Sequence, residues 1–105
     1  MYYDKSGEPI DLMKWAKYFE DLDYKVIARD MVGGNEVSTV WLGINHNFSD
    51  DGAPVIFETM VFPNEDWDGD ELYMNRYSTE AEALEGHKEA IEVAKTLEVH
   101  DEATD

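Results

Sequence analysis

The sequence predicts an α+β domain of two layers, in which two helices pack on one face of a four-stranded antiparallel sheet. Three observations support this fold: an amphipathic segment near the start, four apolar or β-branched segments separated by turn residues, and a second amphipathic segment near the end. The element order is therefore α-β-β-β-β-α, which suits a two-layer arrangement. We expect a single domain over residues 1–100 and a frayed tail over residues 101–105, because a chain of 105 residues suffices for one core.

The first helix is predicted within the segment EPIDLMKWAKYFEDLDY, residues 8–24. Pro9 and Asp11 suit its first turn. Apolar side chains recur at intervals of three or four residues, which places them on one face of a helix. The members of this face are Leu12, Trp15, Ala16, Phe19 and Leu22.

Four strands are predicted in the middle of the chain. YKVIARDMV (24–32) and EVSTVWLGI (36–44) are rich in β-branched residues, and the glycines of GGN between them permit the positive φ of a tight hairpin turn. VIFETMVF (55–62) is apolar on both faces apart from its two central polar residues, which is typical of a central strand. ELYMNRYS (71–78) is the predicted fourth strand.

The second helix has a clear start signal. Thr79 and Glu82 form the spacing of a capping box, and EAEALEGHKEAIEVAKTL (80–97) continues with helical periodicity. One predicted face, turned toward the sheet, carries Leu84, His87, Ile91 and Ala94. The opposite face is predicted to carry Glu82, Glu85, Glu89 and Glu92.

The charge of the chain is strongly negative and uneven. It contains 25 Asp and Glu against eight Lys and Arg, a formal net charge of -17. Residues 1–49 have a net charge of -3, whereas residues 50–105 have a net charge of -14. Such a field repels nucleic acid and anionic lipid and attracts basic protein surfaces in a salt-dependent way. The sequence therefore predicts a basic, nucleic-acid-binding protein as partner, and no direct contact with nucleic acid or membrane.

The segment PNEDWDGDEL, residues 63–72, gathers five carboxylates around one tryptophan. Asp66, Asp68 and Asp70 have the alternating spacing that opens a calcium-binding EF-hand loop. The motif then requires glycine at position six and glutamate at position twelve, where this chain has Glu71 and a tyrosine. A solvated acidic loop, a weak cation site and a partner-binding surface all stay open, and Trp67 either packs back onto the core or stands exposed as an anchor for a partner.

The glutamates of the second helix add to this acidic half. At a rise of 1.5 Å per residue, they place a carboxylate every ~4.5 to 6 Å along the helix axis, close to the spacing of phosphates. An acidic outer face also serves solubility alone, and that alternative stays open. The candidate partner-binding residues are Asp66, Trp67, Asp68, Asp70, Glu71, Glu82, Glu85, Glu89 and Glu92.

Other chemistry finds little support in the sequence. There is no cysteine, no glycine-rich phosphate loop and no hydrolase motif, so we expect neither an enzyme nor a cofactor nor a dedicated metal site. We expect His87 to be a hydrogen-bonded core histidine and Glu58 to pair with Arg76 on the neighbouring strand. If His46, Glu58 and His87 converged, they would form a two-histidine, one-carboxylate metal site.

Three segments resemble a group of small, mostly uncharacterised proteins of bacteriophages and prophages. They are STVWLGINHNF, PVIFETMVF and RYSTEAEALEGH, which together extend over residues 38–87. The resemblance implies a viral origin and expression in a bacterial host, and it places Trp41, His46, Glu58, Arg76 and His87 at recurring positions of the group. The acidic loop falls between the matching segments. Small acidic phage proteins include inhibitors that imitate DNA, which is an analogy of class only.

Three functions follow as expectations. The first is an interaction protein that occupies a basic, nucleic-acid-binding surface of a host protein, as a DNA mimic or an inhibitor of host defence. The second is a structural or assembly component of a phage, whose acidity keeps it soluble, and the third is a metal-binding module. Because the first residues lack a signal-peptide pattern and no apolar run of about 18 residues occurs, we expect the bacterial cytoplasm as location.

Overall fold

The structure, a computed structural model, describes residues 1–46, 52–63 and 71–103, with side chains described as far as Leu97. It confirms a mixed α+β fold with a four-stranded antiparallel sheet. A short hairpin at the start of the chain, which the sequence pattern does not predict, precedes the first helix. In chain order the elements are β1 Tyr2–Tyr3, β2 Pro9–Ile10, α1 Leu12–Glu20, α2 Leu22–Lys25, β3 Val26–Val32, β4 Asn35–Trp41, β5 Phe57–Phe62, β6 Tyr73–Tyr77 and α3 Glu80–Ala103.

The four long strands lie in the order β3-β4-β5-β6, and each is antiparallel to its neighbour. β4 and β5 are central, as the apolar character of VIFETMVF predicts. The β3–β4 hairpin turns through Gly33 and Gly34, whose φ angles are 56° and 93°. Two consecutive positive φ angles are the requirement of the tight hairpin turn that matches the twist of the strands.

Alternation along β4 separates the two faces of the sheet. Val37, Thr39 and Trp41 are buried on the side of the helices, while Glu36 and Ser38 point to the other side. α3 contacts all four strands and turns small residues toward them. These residues are Ala83, Gly86, Ala90 and Ala94. Because they are small, the helix axis comes close to the sheet and the larger strand residues fill the core.

α1 packs on the same face through an aromatic cluster around Trp41. The ring centroids of Tyr18 in α1 and Trp41 lie 6.2 Å apart at 72°, an edge-to-face arrangement, and Tyr24 of α2 contacts Trp41 in the same way at 5.0 Å and 88°. Gly43 permits this packing, since a Cβ there would lie 2.5 Å from the Trp41 ring and 2.6 Å from the Trp15 ring. Both helices therefore cover one face, as the sequence predicts.

The first helix is shorter than predicted. Pro9 belongs to β2, and α1 begins after Asp11, whose carboxylate accepts a hydrogen bond from the Lys14 amide at 2.8 Å. A second cap at Asp21 interrupts the helix before α2. The predicted apolar face is wrong at its two ends, because Leu12 and Leu22 are exposed.

The buried face of α3 also differs from the prediction. His87 and Ala94 are buried as expected, but Leu84 is 42% exposed. The true face is centred on Ala83, Gly86 and Ala90, so that the helix is rotated about its axis relative to the prediction. A leucine at the contact would hold the helix further from the sheet than alanine and glycine do.

Candidate functional site

His87 connects α3 to the sheet through a chain of polar side chains. Its Nε2 lies 2.7 Å from Asp30 Oδ2 on β3, and its Nδ1 lies 2.6 Å from Thr39 Oγ1 on β4. Thr39 Oγ1 is in turn 2.5 Å from Thr59 Oγ1 on β5. The prediction of a hydrogen-bonded core histidine is therefore confirmed, with His87 only 4% exposed.

A carboxylate, an imidazole and a hydroxyl in this order also occur in catalytic triads. Here they form a hydrogen-bonded chain that holds α3 against the sheet. In the tautomer in which Nε2 of His87 carries the hydrogen, this nitrogen donates to Asp30 and Nδ1 accepts from Thr39, which accepts from Thr59. Thr39 and Thr59 are fully buried, so no substrate reaches either hydroxyl. The network satisfies polar groups that would otherwise be buried without partners.

The sequence pattern does not single out Asp30, Thr39 or Thr59. The signal that would identify the two threonines is a hydroxyl at an inward position of each central strand, between apolar inward neighbours. Three strands and a helix supply the four groups of this network, so their meeting depends on sheet register and on the rotation of α3.

Glu58 and Arg76 form the predicted ion pair. The two residues are direct neighbours on β5 and β6, with Arg76 Nε 2.9 Å from Glu58 Oε2. Glu58 alternates with Thr59, which faces His87, and so points to the opposite side of the sheet. The metal site of His46, Glu58 and His87 is therefore wrong, because the sheet separates Glu58 from His87.

A groove of about 570 Å³ lies between α3 and the edge strand β6. Three glutamates of α3 border it, and Arg76 and Tyr77 border it from β6. Val55 supplies part of its apolar wall. The bordering residues used below are Glu82, Glu85, Glu89, Arg76 and Tyr77.

Tyr77 inserts its ring between β6 and α3. Its hydroxyl packs against Gly86 so closely that a Cβ at this position would overlap the phenol. Among the described residues, no group forms a hydrogen bond with the buried Tyr77 hydroxyl. Burial raises the pKa of Tyr77 above its ordinary value of 10.0, and the negative charge of Glu89 raises it further.

The four predicted glutamates of α3 do not form a uniform stripe opposite the sheet. Glu82, Glu85 and Glu89 lie beside the buried face, at the groove. Glu92 does not line the groove and pairs with Lys95 at 2.9 Å. Glu85 pairs only loosely with Lys88 at 3.5 Å, and both side chains are largely exposed.

Glu82 has a second role at the start of α3. Its carboxylate accepts hydrogen bonds from the amides of Ser78 and Thr79 at 3.2 and 3.1 Å, while its own amide donates to Thr79 Oγ1 at 3.1 Å. The predicted capping box is therefore confirmed. Glu82 contributes charge to the groove and also stabilises the first turn of the helix.

Of the predicted residues of the acidic loop, the structure describes Glu71 alone. Asp66, Trp67, Asp68 and Asp70 lie outside the described residues. Glu71 is described and precedes β6 at the end of the strand opposite Tyr77, and it does not border the groove.

No family model, curated protein or solved structure matches the chain. Within residues 1–46, 52–63 and 71–103, no helix is long and apolar enough to cross a bilayer. The same residues contain no cluster of three His, Asp or Glu side chains arranged to hold a metal ion. The groove between α3 and β6 is the place where several carboxylates, an aromatic ring and open volume coincide.

Proposed function

We propose that the protein is an interaction protein that binds a basic surface of a partner protein through the groove between α3 and β6. The observation that carries this proposal is the position of Glu82, Glu85 and Glu89 along a single groove of about 570 Å³. Steps of three and four residues separate them by ~4.5 and ~6 Å along the helix axis, somewhat more than the ~3.4 Å by which the DNA axis advances for each phosphate of one strand.

The other walls of the groove suit an arginine or lysine side chain. Val55 and Ala81 offer apolar surface for its methylene groups, and the Tyr77 ring offers a face for a cation. The carboxylates of Glu85 and Glu89 then accept hydrogen bonds from the charged head. With a net charge of -17, the whole molecule attracts such a partner from a distance.

The partner class that best fits this chemistry is a nucleic-acid-binding protein of a bacterial host, which the chain would inhibit by occupying its phosphate-binding surface. The resemblance to bacteriophage proteins agrees with a host target. Asp66, Trp67, Asp68 and Asp70 belong to the proposal through their sequence alone, as further carboxylates and a possible anchor in the same acidic half.

The test is capture of partners from a bacterial lysate, followed by measurement of binding to the captured protein with duplex DNA as competitor. The doubly substituted variant Glu85→Gln with Glu89→Gln should weaken binding by about twofold to thirtyfold, because exposed ion pairs contribute at most about 1 kcal/mol each. The matched control, Glu8→Gln with Glu20→Gln, removes the same charge from exposed positions away from the groove and should leave affinity nearly unchanged.

Three results would argue against this function. Equal affinities of the groove variant and its control would remove the groove as the contact. If duplex DNA does not displace the protein from its partner, the two do not compete for a phosphate-binding surface. If the affinity does not fall as salt rises, electrostatic attraction does not drive the binding. Detection of the protein in purified virions by mass spectrometry, with no partner captured, would favour a structural or assembly component instead.

A further inference from the structure

The face of the sheet that points away from the helices is largely apolar. In the described structure α1 and α3 both pack on the opposite face. Strand pairing places twelve side chains on this open face in three rows across β3, β4, β5 and the segment that contains β6. The rows are Met31, Glu36, Phe62 and Leu72; Arg29, Ser38, Met60 and Met74; and Val26, Val40, Glu58 and Arg76.

The composition of this open face is unusual for a surface in contact with water. The solvent face of an antiparallel sheet is ordinarily polar, yet seven of these twelve side chains are apolar. Met31 is 53% exposed and Met74 is 37% exposed. Three of the five methionines of the chain lie here, and methionine side chains adapt readily to a partner surface. Contiguous apolar surface of this kind marks an interaction site.

The open face is also electrically neutral in a very acidic molecule. Its two carboxylates each pair with an arginine, Arg29 with Glu36 at 2.8 Å and Arg76 with Glu58 at 2.9 Å. The formal charges of the twelve residues sum to zero, whereas the whole chain carries -17. Two of the eight basic residues of the chain therefore lie on this one surface, where they neutralise its carboxylates.

We propose that the open face is a contact between two copies of this chain. A basic partner gains no electrostatic attraction from a neutral apolar surface and is drawn instead to the acidic groove. A second copy is repelled by the acidic surfaces, and it approaches with least repulsion where carboxylates are already paired. Charge and apolar character together therefore favour an identical chain as the occupant. This inference does not rest on the proposed function.

The size of the face predicts a weak, reversible dimer. Four strands about 4.8 Å apart, each presenting three side chains at about 6.7 Å intervals, span on the order of 20 by 20 Å. That area of roughly 400 Å² is about half of the ~800 Å² that each partner contributes to a standard interface. We therefore expect a dissociation constant that is roughly micromolar or weaker.

Sedimentation equilibrium over a range of protein concentrations measures the dimer directly. We expect the dimer to tighten severalfold when salt is raised from about 0.1 M to about 1 M, because the Debye length falls from about 10 Å to about 3 Å and the net repulsion is screened. This salt response has the opposite sign to that of binding to a basic partner, so the two interactions are distinguishable in one set of experiments.

A substitution and a matched control locate the contact. Met74→Glu places a charge beside Met60 and Leu72, in the apolar part of this face on β5 and β6, and should weaken dimerisation at least tenfold. Met13→Glu makes the same change on α1 at a position that is 81% exposed and should change the affinity less than twofold. Thermal unfolding of both variants checks folding, and Met31→Glu replaces Met74→Glu if the latter unfolds.

Methionine methyl resonances give an independent readout on the unmodified protein. On dilution, the signals of Met31, Met60 and Met74 should shift together, while those of Met1 and Met13 stay in place. A monomer at all concentrations would overturn the proposal, as would a dimer that weakens with salt or one that is equally sensitive to Met74→Glu and Met13→Glu. A monomer whose captured basic partner is released by Met74→Glu would assign the face to that partner instead.

Discussion

Replacing Gly86 by alanine is expected to destabilise the protein, although the same change inside a helix ordinarily stabilises it. Alanine is favoured over glycine in a helix interior by about 1 kcal/mol. At this position the added Cβ would overlap the ring and the hydroxyl of Tyr77, which is enclosed between β6 and α3. Displacing a packed ring costs about 1–3 kcal/mol, so the clash outweighs the helical preference. We expect a net loss of up to about 2 kcal/mol.

The sign should reverse when the ring is absent. In a Tyr77→Val background nothing opposes the new Cβ, and Gly86→Ala should then stabilise the protein by about 1 kcal/mol. The double-mutant cycle should therefore yield a coupling energy of about 1–3 kcal/mol between the two positions. Valine keeps the β propensity at the end of β6 while it removes the phenol.

Urea unfolding at constant temperature measures all four proteins, and constant m-values confirm that the change lies in stability. Thr96→Ala is the control for helix propensity, since Thr96 is exposed on the same helix and should gain a few tenths of a kcal/mol in either background. A stabilising effect of Gly86→Ala in the presence of Tyr77 would refute the close contact between α3 and β6 on which the groove depends.

Three further predictions concern the polar contacts. His87→Leu leaves buried hydroxyls without an acceptor and should cost about 2–3 kcal/mol by urea unfolding; a smaller loss than in an exposed-site control would contradict the network. Burial raises the pKa of Tyr24 and Tyr77 above 10.0, so their contribution to the free energy of unfolding should be fully present below pH 10 and should decrease as the pH rises beyond it. A series of melting curves at different pH values measures this decrease, and replacement of both residues by Phe should abolish it. Arg76→Ala leaves the Glu58 carboxylate buried without its cation and should cost about 1–3 kcal/mol, whereas replacing both residues by Met should be nearly neutral.

Local patterns in the sequence determined most of the elements. The capping box at Thr79, the two-glycine hairpin turn and the central position of VIFETMVF all depend on residues a few positions apart, and the structure confirms each of them. The ion pair of Glu58 and Arg76 was predictable for the same reason, since adjacent strands bring their alternating side chains into register. The charge imbalance also needs no coordinates, because it is a property of composition.

Only the tertiary structure decided which sides of these elements meet. The sequence predicts that α3 buries Leu84, but close approach to the sheet selects Ala83, Gly86 and Ala90, and the rotation that follows carries three glutamates to the groove. The spacing of apolar residues shows that a helix has an apolar side, but it contains almost no information on the volumes of the side chains. How close two layers come depends on the volumes of residues that are distant in the chain, so the contact face, the His87 network and the composition of the face opposite the helices emerge only from packing.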